Sequence, residues 1–513
     1  MEIELKLLVN PRDIASFCSN PLLAVHATAG PRVQRLVTYF DTPDLYFRQR
    51  GAVLRVRKNG RRWIQTLKAG GQAVGGLHQR HEWESTISGP HPDFAAMRLL
   101  VDERAAGDGE RALTDVKIAG QLQPIFITRI RRTVWELRLE SGAEVELALD
   151  QGDVERGASR VPISEIELEL KSGPPQSLFA FALEIEASTP VRVSDISKAE
   201  RGFALLEPEE RPAAKAAPLA FAAGATVEQG LQAIVANCLA QIHHNERGVV
   251  EGDDPSSVHQ MRVGLRRLRA ALQMFDEVAP GGRALQAELK WLNAELAPAR
   301  DWEVLACTTL EAVETAHPEA PHMSLLRDAA RRVAQDKRKH AAAAVRSRRY
   351  ARLLLSIGYW LQTTRLSEAL PPQQQVALAA SLRATGSSRL GKLHRRLFRH
   401  DHDLQQATPD ERHAVRKAAR RLRYSAEFLA SLYPAKQFSA FVAALIEAQD
   451  ELGRMNDAAV AAELLGALSG ADAGLAAGAA FINGYLACGA DVASRKIGKR
   501  MKAIQRCELP RLD

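Results

Sequence analysis

Aromatic side chains make up only 5% of this 513-residue sequence, too few for RNA recognition built on rows of stacking rings. Cysteine is scarce and scattered. Cys18, Cys238, Cys307, Cys488 and Cys507 form no CxxC pair, which argues against a disulfide scaffold or a zinc module and for a reduced, cytoplasmic protein. No apolar segment opens the chain, because Glu2, Glu4 and Lys6 come at once, so no secretory leader is expected. Long apolar runs are missing too. The Ala-rich stretch near 470–490 is broken by Asp472 and Asn483 and reads as too weakly apolar to span a bilayer. No membrane partner is expected.

What is present fits packed cores: 46% apolar and 25% charged residues suit neither a disordered nor a collagen-like chain. The length suggests about two to four domains. The net charge is +8, from 69 basic and 61 acidic side chains. Residues 1–205 hold 27 of each, so the whole excess lies beyond them. A polyanion partner is therefore sought first in the C-terminal part.

Residues 1–205 read mainly as β. Apolar and polar residues alternate in Glu2–Leu7, Val53–Arg57, Trp63–Lys68, His81–Ile87, Phe126–Leu139, Glu144–Asp150 and Ile163–Lys171, the period of strands with two unlike faces. Short helices are expected near Pro11–Ser19, Phe94–Leu100, Arg111–Val116 and Leu178–Ala187. A segment with Pro208, Pro212 and Pro218 then reads as a linker over 206–225. Beyond it, Ala-, Leu- and Arg-rich helical periodicity continues to about residue 505.

That helical half repeats itself. His259, Arg262, Arg266, Arg267, Leu268 and Arg269 recur at identical offsets as His413, Arg416, Arg420, Arg421, Leu422 and Arg423. Leu296 to Arg300-Asp301 follows the first set as Leu452 to Asn456-Asp457 follows the second. Two copies, about 226–365 and 375–505, are expected within one all-α domain over 226–505. The fold class is thus α+β in two domains: short antiparallel strands forming a barrel or a sandwich, then two repeated helical bundles.

Side chains alternate across a strand, so Glu2, Glu4 and Lys6 share a face. So do Arg55 and Arg57; Thr66 and Lys68; Arg80, Glu82 and Glu84; Thr128 and Arg132; Glu146 and Asp150; and Glu165, Glu167, Glu169 and Lys171. Alternate glutamates repel each other and need a cation or basic neighbours beside them. A closed barrel with a charged lumen supplies that setting, with carboxylates for hard divalent cations and Lys or Arg for anionic oxygens. Glu82 and Glu84 could be ligands or partners of the arginines.

This ordered set resembles the CYTH domain of the triphosphate tunnel metalloenzymes. The resemblance rests on Glu2-Ile-Glu4-Leu-Lys6, Tyr39-Phe-Asp41-Thr-Pro43, Leu54-Arg55-Val-Arg57, Thr66-Leu-Lys68, Arg80-His-Glu82-Trp-Glu84, the Glu146–Asp150 strand, Glu165-Ile-Glu167-Leu-Glu169 and Ser197-Lys198-Ala-Glu-Arg201. It implies an eight-stranded antiparallel tunnel hydrolysing triphosphate compounds with Mg2+ or Mn2+. Glu2, Glu4, Asp150, Glu165 and Glu167 would be metal ligands, the choice among Glu165, Glu167 and Glu169 staying open. Lys6, Arg55, Arg57, Lys68, Arg80, Arg132, Lys198 and Arg201 would bind substrate, with Glu2, Glu4 and Lys6 closest to catalysis. Arg132 is preferred to Arg131 because it shares the parity of Thr128.

Offsets of 0, 3, 7 and 10 place His259, Arg262, Arg266 and Arg269 within roughly 80° of a helix circumference. His413, Arg416, Arg420 and Arg423 form the matching stripe, widened by Lys417 and Tyr424. One such stripe could be a solvated face; two in register suggest a shared groove for a polyanion. This half resembles the CHAD domain, which implies binding of long-chain inorganic polyphosphate by both stripes. The second copy departs from the pattern by carrying Asn456 where the first has Arg300. The joint expectation is a cytoplasmic, metal-dependent hydrolase of inorganic triphosphate with a polyphosphate-binding module, placed at polyphosphate granules. A non-catalytic granule protein, an adenylate cyclase and a thiamine triphosphatase on the same tunnel are the alternatives. Nucleic acid is disfavoured as a partner because no docking motif is present.

Overall fold

The computed structural model describes residues 1–104, 113–206, 212–252, 254–279, 281–363, 370–399, 404 and 406–507. The described chain divides into two compact units, one of residues 1–206 with Arg348–Thr363, the other of the remaining helical residues.

In the first unit, β1 (Glu2–Val9), β2 (Ala27–Asp41), β3 (Val53–Asn59), β4 (Arg62–Val74), β5 (Leu77–Ile87), β6 (Gln123–Arg138), β7 (Glu144–Arg156) and β8 (Ser159–Ser172) pair in the order β5-β4-β3-β2-β6-β7-β8-β1. Strand β1 also pairs with β5, Glu2 opposite Arg80, so eight antiparallel strands close into a barrel without free edges. A short strand, β9 (Val191–Val193), continues alongside the far end of β1. Outward residues such as Leu5, Leu7, Leu54, Leu67, Ile166 and Leu168 are buried. The Phe94–Arg104 helix supplies Phe94 and Met97 to a cluster on the outer faces of β2 to β5. Of the helix expected at Arg111–Val116, Arg111 and Ala112 lie outside the described residues; a 3-10 helix follows at Val116–Gln121.

One helix belongs elsewhere than the sequence suggests. Arg348–Thr363, placed by its periodicity in the first helical copy, is part of the barrel unit. It lies against the Gln176–Ser188 helix, so closely that a Cβ on Gly358 would meet the Phe179 ring at 2.1 Å. Arg348 and Arg352 reach Glu186, which is fully buried, at 2.8 and 2.9 Å.

The regular elements of the second unit are all helical, with one isolated bridge between Thr226 and Ser381. Residues 212–225 form no regular element and are tied down by side chains: Asn245 holds both polar groups of Ala214, and Ser431 accepts from the Phe221 N–H. Residues 207–211 of the expected linker, and 253, 280, 364–365, 400–403 and 405 of the helical copies, lie outside the described residues. The two His/Arg helices are Pro255–Met274 and Pro409–Leu429. Met261, Leu265, Leu268 and Leu272 of the first are buried, as is Leu422 of the second; those apolar stripes turn the basic ones outward. The Ala-rich stretch forms part of one helix, Ala476–Arg506. Among the described residues, the segment from Ala473 to Arg506 is long and apolar enough to cross a membrane by length and composition, so the expectation that it is too weakly apolar needs correcting. Its buried Ile482, Ala493, Ile497 and Ile504 mark the side that packs against protein.

Candidate functional site: a charged barrel lumen and a basic groove

Register fixes which side chains share the lumen. Asp150 stands opposite both Arg132 on β6 and Glu165 on β8, and Glu167 stands opposite Lys6 on β1. Asp150 and Glu165 are fully buried and Glu167 nearly so. One oxygen from each of the three lies within 4.8 Å of the others. Carboxylates that close repel, and four cations answer them.

Lys198 Nζ reaches Asp150 at 2.7 Å, Glu165 at 2.5 Å and Glu167 at 2.8 Å. Arg132 grips Asp150 through two bonds of 2.7 and 2.5 Å and Glu167 at 2.6 Å. Arg201 bonds Glu165 at 2.6 Å, and Lys6 joins Glu167 to Glu4. Burial pushes the Asp150 and Glu167 carboxyls up, but Lys198, with Arg132 and, for Glu167, Lys6, holds both below their ordinary values. Burial likewise opposes the charge on Lys198 and Arg132, yet the carboxylates keep both well above theirs.

Lys198 and Arg201 come from a helix, Lys198–Phe203, started by a capping box in which Ser197 and Glu200 satisfy each other's backbone N–H groups. Phe203 meets Phe126 edge to face, and Phe126 stacks on Tyr39 at 4.5 Å. Gly202 allows that approach, since a Cβ there would lie 2.1 Å from the Phe126 ring. The helix thus seals the lumen beside the carboxylates. Asp41 of the Tyr39-to-Pro43 run does not enter the site. It is fully buried and accepts from the N–H groups of Thr42, Phe47 and Arg48, capping the turn after β2.

A second cluster lies where β1 meets β5 and β4. Glu2 pairs with Lys68, which is 3.5 Å from Glu82. Arg55 reaches Glu82 at 3.4 Å, and Arg57 reaches Glu84 at 2.9 Å, so both glutamates serve here as partners of basic residues. Burial raises the Glu2 carboxyl to about 7 against the pull of Lys68. Glu4 is the reverse case: burial pushes it up, but Lys6, Lys68 and His78 together outweigh that, and it falls to about 2. Glu169 turns to Lys171 at 2.6 Å and stays partly exposed, apart from the buried trio. The Arg80 side chain makes no hydrogen bond or ion pair with a described residue. The sequence reading missed Arg35 on β2, whose guanidinium feels Arg132, Arg57, Asp150 and Arg55.

An all-oxygen, buried, convergent donor set is what a hard divalent cation requires. Asp150, Glu165 and Glu167 meet that description, with Glu4 linked to them through Lys6.

In the helical unit, His259, Arg266, Arg416, Arg420, Arg423 and Tyr424 line a groove of about 460 Å³, facing Gln449, Asp450 and Arg454 of the long Ala435–Ala471 helix. Tyr424 is 2% exposed; Arg266 donates to its hydroxyl at 3.4 Å. Burial and the neighbouring Arg300, Arg266 and Arg262 bring His259 down to about 4, so it is neutral at pH 7. Burial, then Arg266 and Arg416, lowers Arg420 to about 10. Arg262 leans on Asp301 at 3.7 Å, and Arg416 on Asp457 at 4.0 Å, one pair from each copy. Not every residue of the stripes joins the groove lining. Arg269 donates to Gln286 at 3.3 Å, while His413 and Lys417 are exposed. Nothing in the repeat marked Gln449 or Arg454.

Comparison with known proteins divides the chain between residues 203 and 233, with Arg348–Thr363 inside the second match. Residues 1–203 match the CYTH domain and residues 233–466 the CHAD domain. An inorganic triphosphatase of Haemophilus influenzae is 33% identical over 211 residues. That match covers 40% of this chain and 54% of the relative, so the chain spans about half of the relative's length. The CHAD domain of the plant Ricinus communis aligns with a TM-score of 0.52 at 35% identity, covering 60% of this chain and all of that one.

Proposed function

From a chain that joins a CYTH domain to a CHAD domain, we propose metal-dependent hydrolysis of inorganic triphosphate to pyrophosphate and phosphate in the barrel, with long-chain polyphosphate bound by the helical unit. The observation that carries the first part is the lumen itself. Buried carboxylates and lysine or arginine side chains interlock within one closed barrel.

Lys6, Arg55, Arg57, Lys68, Arg80, Arg132, Lys198 and Arg201 grip the phosphate oxygens, the arginines in bidentate fashion. Glu2, Glu4, Asp150, Glu165 and Glu167 would hold Mg2+ or Mn2+. Bound there, a divalent cation supplies charge neutralisation and a more acidic water. The barrel wall holds the chain of phosphates extended for in-line attack of water on the terminal phosphorus. The basic residues stabilise the charge that develops on the leaving pyrophosphate. The salt bridges within the lumen preorganise both sets of charges.

The groove supports the second part. His259, Arg266, Arg416, Arg420 and Arg423 converge from both copies, and a flexible polyanion can neutralise them together. A cytoplasmic setting at polyphosphate granules is the corresponding location. The test is phosphate release from inorganic triphosphate, ATP and thiamine triphosphate, with Mg2+ and with Mn2+. Preferred turnover of inorganic triphosphate supports the proposal. Failure to turn over any of the three, with polyphosphate still bound, leaves a pure binding protein.

A further inference from the structure

We propose that Arg35 is a further triphosphate-binding residue of the tunnel, completing a guanidinium wall with Arg57, Arg55 and Arg132. The inference rests on reading the tunnel as a triphosphate site. Pairing fixes where Arg35 stands. On β2, Val33 lies opposite Arg132, Arg35 opposite Ile130 and Val37 opposite Thr128, while Val37 also faces Arg57 and Tyr39 faces Arg55 across β3. Directly opposed residues share a face, so Arg35 is on the lumen side with Arg55, Arg57, Thr128 and Arg132. Strand β2 thereby joins the arginines of β3 to the arginine of β6.

Arg35 differs from most of the lumen cations in its lack of a carboxylate. Arg55, Arg57, Lys68, Arg132, Lys198, Arg201 and Lys6 each have one. The Arg35 side chain, like that of Arg80, makes no hydrogen bond or ion pair with a described residue. It is half-buried; burial and then Arg132 and Arg57 lower it to about 10, so it stays charged at neutral pH. Among Arg132, Arg57 and Arg55, and with the Asp150 carboxylate drawing on it, the Arg35 guanidinium feels net repulsion. An anionic guest reverses that, and phosphoryl oxygens match the planar fork. If its role were structural, a carboxylate or carbonyl partner would be expected.

The test uses the full chain with Arg35→Gln, Arg35→Lys and, as a control on the opposite face of the neighbouring strand, Arg129→Gln, whose side chain is 58% exposed. Melting temperature is measured with and without inorganic triphosphate and Mg2+, alongside initial rates. Arg35→Gln is expected to melt no lower than wild type when empty, to lose most of the triphosphate-induced rise, and to weaken KM about ten- to hundredfold, the range of a hydrogen bond to a charged group. Arg35→Lys falls between, and Arg129→Gln matches wild type. A lowered melting temperature of the empty Arg35→Gln protein with unchanged KM overturns the inference in favour of a structural role. Unchanged triphosphate binding in Arg35→Gln removes Arg35 alone, while a wild type that neither binds nor hydrolyses triphosphate removes the tunnel reading and this inference together.

Discussion

Lys198 lies 2.7 Å from Asp150, yet the two come from different kinds of element: Asp150 from a barrel strand, Lys198 from the first turn of the helix that seals the lumen. One ammonium thus ties three carboxylates to a helix outside the barrel strands. Lys198→Gln should leave the three carboxylates short of one cation and raise the protonated fraction of Asp150 and Glu167. Triphosphate turnover is expected to fall by at least about a hundredfold, the loss of one charge-assisted contact in the transition state. Steady-state phosphate release measures it, and near-normal kcat would show that the helix only plugs the barrel.

Gly202→Ala tests the same helix without touching a charge. The new Cβ would press on the Phe126 ring, and overpacking of this kind costs about 1–3 kcal/mol. Displacement of Lys198 and Arg201 should lower turnover about tenfold, while polyphosphate binding by the helical unit stays at the wild-type level. Equal activity in the variant would mean that the helix position is not coupled to the site.

Glu186 is fully buried between Arg348 and Arg352. Breaking a buried pair leaves unpaired charge, but both arginines are about half exposed, so the cost should be nearer 2 kcal/mol than the full value for a buried pair. Glu186→Ala should therefore lower the urea midpoint of the barrel unit, followed by its tryptophan fluorescence. Arg348→Ala added to Glu186→Ala should cost little more, because the partner is already gone.

The groove predicts a pH dependence of opposite sign to a simple carboxylate effect. Burial and the neighbouring arginines bring His259 down to about 4 from its ordinary value of 6.5, so an anion beside it favours protonation. A bound phosphate chain raises that pKa, and binding takes up a proton. Affinity should rise as pH falls from about 6.5 toward 4, and His259→Ala with His413→Ala should flatten the curve and weaken binding about tenfold. The folded protein itself loses stability over the same interval, because the unfolded chain protonates His259 first. Calorimetry in buffers of different ionisation enthalpy detects the proton; equal heats in both would contradict the assignment.

Much of this architecture is legible in the sequence because barrel strands with an apolar face and a charged face alternate cleanly. Seven strands announce themselves that way. The eighth does not: Val33 to Phe40 carries apolar residues at both parities, since Val37 and Tyr39 pack inside against the sealing helix while Phe40 packs outside. Arg35 is hidden with it. The repeat showed two basic helices, but the wall formed by Gln449, Asp450 and Arg454 depends on how the long helix crosses them. Helix Arg348–Thr363 is plainly helical in sequence; its partners Phe179 and Glu186 are more than 150 residues away, and no local pattern names them.

The central claim is that one chain holds two separable phosphate sites, of which only the barrel is catalytic. The most direct test compares full-length wild type with Glu4→Gln, a substitution that removes one carboxylate charge while keeping size, by phosphate release from inorganic triphosphate and by polyphosphate binding in the same preparation. The account predicts that Glu4→Gln abolishes release and binds polyphosphate as tightly as wild type. Release at the wild-type rate from Glu4→Gln, or loss of both properties together, would contradict it.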